Sequence, residues 1–216
     1  MTAQDLPTCY QPPVTGRHGV LLVLEGISGS GKTTLAGLLA ERLDAETLHV
    51  VPQPLSTLSG YVNDHGGPLT QFAFYLAGAL DAADTARHRL VSGNLVTDRW
   101  VNSIIANHTA VNSLDLDAVL AMLAPYLSYL PQPDLTVYLE TSERELRRRM
   151  ETRPQRSPQD RLLIRRPGLL PRVQELYRLL AATDPTAVHL ITDGSTPGEL
   201  AAEIQIMLEA RRASAC

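Results

Sequence analysis

Gly19-Val20-Leu21-Leu22-Val23-Leu24-Glu25, followed without a break by Gly26-Ile27-Ser28-Gly29-Ser30-Gly31-Lys32-Thr33, decides the fold of this chain. The first seven residues are almost wholly apolar, the pattern of a strand buried on both faces in a parallel sheet. The next eight satisfy G-x-x-x-x-G-K-[ST] at every position. Thr34-Leu35-Ala36-Gly37-Leu38-Leu39-Ala40-Glu41-Arg42-Leu43 then carries its apolar residues at helical spacing. Strand, glycine-rich turn and helix in that order curl backbone N–H groups around an anion at the positive end of the helix. An ordinary glycine-rich turn accounts for the composition but not for the whole motif in its proper setting.

The stretch therefore reads as a cradle for nucleotide phosphates. Gly26, Ser28, Gly29, Ser30, Gly31, Lys32, Thr33 and Thr34 would face the phosphates of ATP, with Lys32 reaching the β/γ-phosphates and the Thr33 hydroxyl on Mg²⁺. Among 19 basic residues Lys32 is the only lysine; all the others are arginine.

The rest of the composition narrows the class. At 216 residues, 44% hydrophobic and net charge −4, the chain reads as one domain over residues 19–212, preceded by a loose tail at 1–18 with Pro7, Pro12, Pro13 and Gly16. A pI near 5.8 does not favour nucleic acid or anionic membranes. No signal-peptide pattern and no long apolar run is present, so a cytoplasmic protein with two free thiols, Cys9 and Cys216, is expected. The six histidines form no zinc-binding pattern.

Further along, Glu46–Val51 reads as a second strand and the Gly/Ser/Asn-rich residues 56–68 as a loop. A long helix follows from Leu69 to Val91, then a strand at Asn94–Asp98, a helical region before Pro131, and a strand at Asp134–Glu140. Ser142 reads as the N-cap of a helix through Met150. Residues 152–168 hold Arg153, Arg156, Arg161, Arg165 and Arg166, with Pro154, Pro158 and Pro167 breaking any helix. A helix at Leu169–Ala182, a strand at Ala187–Ile191 and a helix at Pro197–Arg211 close the chain. The alternation predicts an α/β/α three-layer fold on a five-stranded parallel sheet, with ligands at the carboxyl ends of the strands.

Several motifs in this order resemble the thymidylate kinase family of nucleoside-monophosphate kinases. Glu25-Gly26-x-x-Gly29-x-Gly31-Lys32-x-Thr34 resembles its opening motif, and Asp98-Arg99-Trp100-x-x-Ser103 its D-R-[YH]-x-x-S. Pro133–Leu139 is similar to the strand before its lid, and Tyr177–Ala181 to the helix after it. The resemblance implies that Asp98 is tied to the metal with Thr33, that Arg99 grips the acceptor's phosphate beside Ser103, and that residues 152–168 form an arginine-rich lid. Ser30 in the P-loop places the catalytic arginine in that lid, with Arg153 and Arg161 favoured; Arg147 to Arg149 read as a solvated helix face. A small nucleotide substrate and a homodimer are implied as well.

The departures concern the acceptor. Phe74 matches the family's base-stacking Phe, but Gly78 stands where an Arg reads the base, Ile104 where Asn or Gln does, and Asn107 where a Tyr lies near the sugar. Asn107 could leave room for a ribose hydroxyl. Ser28 replaces an Asp within the P-loop. An acceptor other than thymidylate is therefore expected. Two alternatives stay open. Val51-Pro52-Gln53-Pro54 resembles the P-E-P of deoxynucleoside kinases, although Gln53 cannot serve as a base for a 5′-hydroxyl. A nucleotide-binding protein without catalysis is the other.

Overall fold

The structure is a computed structural model describing residue 10 and residues 16–153 and 158–215. Most of the expected tail, with Cys9, lies outside the described residues, as do Pro154, Arg156 and Cys216. The last part of that tail is tied down: Arg17 pairs with Asp134 and donates to the Gln132 carbonyl (2.6 Å).

Five strands, β1 (Leu21–Glu25), β2 (Ala45–His49), β3 (Asn94–Asp98), β4 (Leu135–Glu140) and β5 (Ala187–Ile191), form one sheet in the order β2-β3-β1-β4-β5. Every pairing is parallel. The central β1 is buried along its whole length, as its apolar run requires. The family of folds expected from the sequence, α/β with a five-stranded parallel sheet, is the one observed.

Helices cover both faces. On one side α1 (Lys32–Leu43) and α9 (Pro197–Ala215) pack through Leu35, Leu39, Leu200 and Ile204 onto Leu22, Leu24 and Val137. On the other, α3 (Pro68–Leu90), α4 (Val101–Val111) and α8 (Leu169–Thr183) pack onto Leu21, Val23 and Leu95. The remaining helices are α2 (Ser59–His65), α5 (Leu116–Leu123), α6 (Glu143–Thr152) and α7 (Pro158–Arg165). Asp115 and Ser142 cap α5 and α6 by accepting from Ala118 N and Glu145 N.

Three expectations change. Strand β2 ends at His49 because the Val51 N–H turns out of the ladder and donates to His49 Nδ1 (3.1 Å). Residues 56–68 are not simply a loop: a 3₁₀ turn at Leu55–Leu58 leads into α2, held by Gln71 Nε2 on the Gly66 carbonyl (2.9 Å). Helix α7 forms within the proline-rich segment because Pro158 occupies its first position, where a missing N–H costs nothing.

Candidate active site

The cradle is built from backbone. Gly26, Gly29 and Gly31 have φ of 142°, 91° and 101°, values that side-chain-bearing residues rarely adopt, so the turn after β1 needs glycine there. Helix α1 opens directly behind Gly31. Lys32 lies back along the loop, its Nζ donating to the Ile27 carbonyl (2.7 Å) and Ser30 Oγ (3.1 Å). Burial, together with the nearby Arg99 charge, pulls its ammonium well below the ordinary lysine range. Ser28 and Ser30 are buried, whereas Thr33 and Thr34 are exposed.

The carboxyl end of β3 faces the cradle. Thr33 Oγ1 donates to Asp98 Oδ2 (2.5 Å), while the buried Asp98 Oδ1 has no partner among the described residues. A hydroxyl and an unsatisfied carboxylate oxygen suit Mg²⁺, which takes few protein ligands and keeps its waters and substrate phosphates. No group of three His, Cys, Asp or Glu side chains that could hold a metal ion exists among the described residues.

Arg99 follows with φ 77°, unusual for a residue with a side chain. Its N–H donates to the Leu24 carbonyl (3.0 Å), and its guanidinium donates to the Gly26 carbonyl (3.0 Å), Ser103 Oγ (3.2 Å) and Tyr177 OH (3.2 Å). One buried residue that sequence reasoning left without a role holds this arrangement. Glu25, at the end of β1, accepts from Trp100 N and Ser103 N (3.0 Å each) and from Ser103 Oγ, fixing the first turn of α4. Desolvation pushes its carboxyl up to about 7. An acidic residue inside an otherwise apolar strand was the available signal.

The segment expected to form the lid contacts the cradle. Asp160, fully buried on α7, accepts from Ser28 Oγ (2.5 Å) and from Arg153 (2.8 Å). Arg153 also reaches Ser28 Oγ (3.4 Å), and Arg161 is exposed beside Asp160. The expectation for Arg147 to Arg149 divides: Arg147 and Arg148 pair with Glu143 and Glu145. Arg149 also pairs with Glu145 (2.7 Å), but it reaches the Gly29 and Ser30 carbonyls (3.5 Å each) and the Thr192 carbonyl (3.3 Å) as well.

Beyond Arg99 opens a cavity of about 440 Å³, large enough for a mononucleotide. Ser103, Ile104 and Asn107, three of the residues expected to bind the acceptor, line it. Phe74 does not. One position round the helix from the wall, it packs edge-on to Tyr75, which lines the cavity with Gln71 one turn earlier. Gly78 lies under the chain after β2, where an added Cβ would come within 2.9 Å of Val51. Gln53 is exposed and outside the wall. Asn107's amide is engaged: it donates to the Ser103 carbonyl (2.7 Å) and accepts from Gln159 (2.6 Å). His49, Asn63, His108 and Asn112 complete much of the polar lining. Burial lowers the pKa of both His49 and His108.

A phosphate cradle, a metal-competent Thr–Asp pair and an adjoining nucleotide-sized cavity define a P-loop nucleotide kinase. Residues 24–204 match the sequence model of the thymidylate kinase family. Thymidylate kinase of Synechococcus sp. (strain JA-2-3B'a(2-13)) is 31% identical over 206 residues, spanning 89% of this chain and 95% of the relative. That of Leifsonia xyli subsp. xyli (strain CTCB07) is 32% identical over 214 residues, spanning 91% and 98%. The solved structure of Candida albicans thymidylate kinase superposes with a TM-score of 0.74 at 20% identity, covering 92% of this chain and 94% of that one. The chain belongs to the thymidylate kinase family and is a nucleoside monophosphate kinase. Among the described residues, no helix is long and apolar enough to cross a membrane.

Proposed function

We propose that this protein transfers the γ-phosphoryl group of ATP to the phosphate of a nucleoside monophosphate, with thymidylate the first acceptor to test. The position of Arg99 carries this reading. One guanidinium links the Gly26 carbonyl of the cradle to the Ser103 side of the cavity, so a cation stands between donor phosphates and a nucleotide-sized space. Guanidinium groups fork onto phosphate oxygens, which suits Arg99 to the acceptor phosphate.

In this reading Lys32 and the backbone of residues 26–34 hold the donor phosphates, and Thr33 and Asp98 hold Mg²⁺. Held there by Thr33 and Asp98, the metal would supply positive charge against the phosphates. Arg153 and Arg161 bring positive charge to the transferring group from the lid side. A phosphate acceptor, largely ionised at neutral pH, needs no general base. An exposed glutamine at position 53, outside the cavity wall, is compatible with that.

The expectation that thymidylate is excluded loses its footing. It rested on Gly78, Ile104 and Asn107, but Gly78 is explained by packing under Val51, and polar side chains enter the cavity from Gln71, Tyr75 and His108 instead. The relatives are named thymidylate kinases, and the Candida albicans enzyme is described as having broad substrate specificity.

The test is ADP release from ATP and Mg²⁺ over a panel of ribo- and deoxynucleoside monophosphates and the matching nucleosides. Turnover confined to monophosphates, with thymidylate among the substrates, is expected. Turnover confined to nucleosides overturns the reading.

A further inference from the structure

Among the residues by which helix α4 lines the cavity, Ser103, Asn107 and Val111 follow one another at four-residue intervals. Residues four apart on a helix are separated by about 6 Å along its axis. If Arg99 and Ser103 mark the phosphate end, as the reading above has it, Asn107 stands one turn further in, at the depth of the pentose. Val111 then lies another turn in, at the depth of the base.

At that middle level two amides are chained in one orientation. The Ser103 carbonyl can only accept, so Asn107 must present Nδ2 to it (2.7 Å). Asn107 Oδ1 is thereby turned toward Gln159, which must present its own Nε2 (2.6 Å). The consequence is that Gln159 Oε1 is left as an acceptor on a residue lining the cavity, with no partner among the described residues. The next residue on α7, Asp160, is the fully buried one that seats this helix on Ser28 and Arg153. Helix α7 is thus fixed by one residue to the cradle and by its neighbour to the acceptor cavity.

We infer that Gln159 is a specificity-determining residue for the acceptor, its Oε1 accepting a hydrogen bond from a pentose hydroxyl. The inference rests on the mononucleotide reading for its depth scale. Asn107 acts through Gln159 by fixing its orientation.

The test is equilibrium binding of matched acceptors that differ only in sugar hydroxyls: a nucleoside 5′-monophosphate with ribose, with 2′-deoxyribose and with 2′,3′-dideoxyribose. In the wild type, loss of the contacted hydroxyl weakens binding about fivefold to tenfold, the usual scale of one hydrogen bond. In Gln159→Leu that difference shrinks toward unity while ATP affinity is unchanged. Gln159→Asn, which withdraws the amide by one methylene, gives the same collapse. Discrimination among sugars that survives both substitutions overturns the inference, as does a wild type indifferent to the hydroxyls. The same series measured on free nucleosides separates the two readings. Preference for nucleosides over monophosphates would sink the proposed function, while the sugar hydroxyls would still report on Gln159.

Discussion

The two walls of the site are made differently. The wall proposed for the donor is eight consecutive residues built from backbone, with three positive-φ glycines and one lysine. The wall proposed for the acceptor is assembled from side chains on the end of β2 and the chain after it, on α2, α3, α4 and α7, elements far apart in sequence. A backbone cradle tolerates almost no change, because its geometry is its function. A side-chain wall can exchange one polar group for another at a different position and still enclose a nucleotide.

Removing the lysine tests the donor wall. Lys32→Ala should lower kcat by about a hundredfold to a thousandfold, the scale of one lost charge-stabilising donor. Acceptor binding measured separately should hold; if acceptor affinity collapses as well, the two walls are not independent.

Glu25 joins them, since it ends β1 ahead of the cradle and anchors α4 behind the acceptor. Its carboxyl is raised from 4.5 to about 7 by burial, so the folded state favours the protonated form. The stability this contributes is fully present below pH 4.5 and is lost as the pH rises through 7. Across that window the loss runs at about 1.4 kcal/mol per pH unit. The thermal midpoint of the wild type, taken relative to Glu25→Gln, should therefore fall between pH 4.5 and about pH 7 and level off above it. Parallel curves for the two proteins would show that burial does not disfavour the Glu25 carboxylate.

The smallest effect belongs to the acceptor wall. Gly78→Ala forces the Val51 side chain to give way, a strain of about 1–3 kcal/mol. The acceptor KM should rise and the ATP KM stay put. An unchanged acceptor KM would mean that Val51 does not shape the cavity.

How much the amino-acid sequence revealed follows from the same division. Strands β3 and β5 were legible to the residue because apolar runs bounded by Gly, Pro and Asp have few other readings. The cradle was legible because its chemistry is contiguous. Helix α7 was hidden by prolines that mark a start as well as a break, and α2 by a loop-like composition. On α3 the phase was lost: buried Phe72, Leu76, Ala79 and Ala83 share the helix with Phe74, and aromatic character alone did not say which ring faces the cavity. His108 and Gln159 gain meaning only from neighbours distant in sequence, Phe72 (ring centroids 5.3 Å apart) and Asn107.

The single lysine has a chemical consequence. Apart from the chain's own α-amino group, Lys32 Nζ is the protein's only primary amine, and it is buried against Ile27 and Ser30 at the centre of the cradle. Amine-directed acylation or reductive alkylation thus has one internal address. The extent of that labelling is a direct gauge of how accessible the donor cradle is, free of the background that surface lysines impose on most kinases.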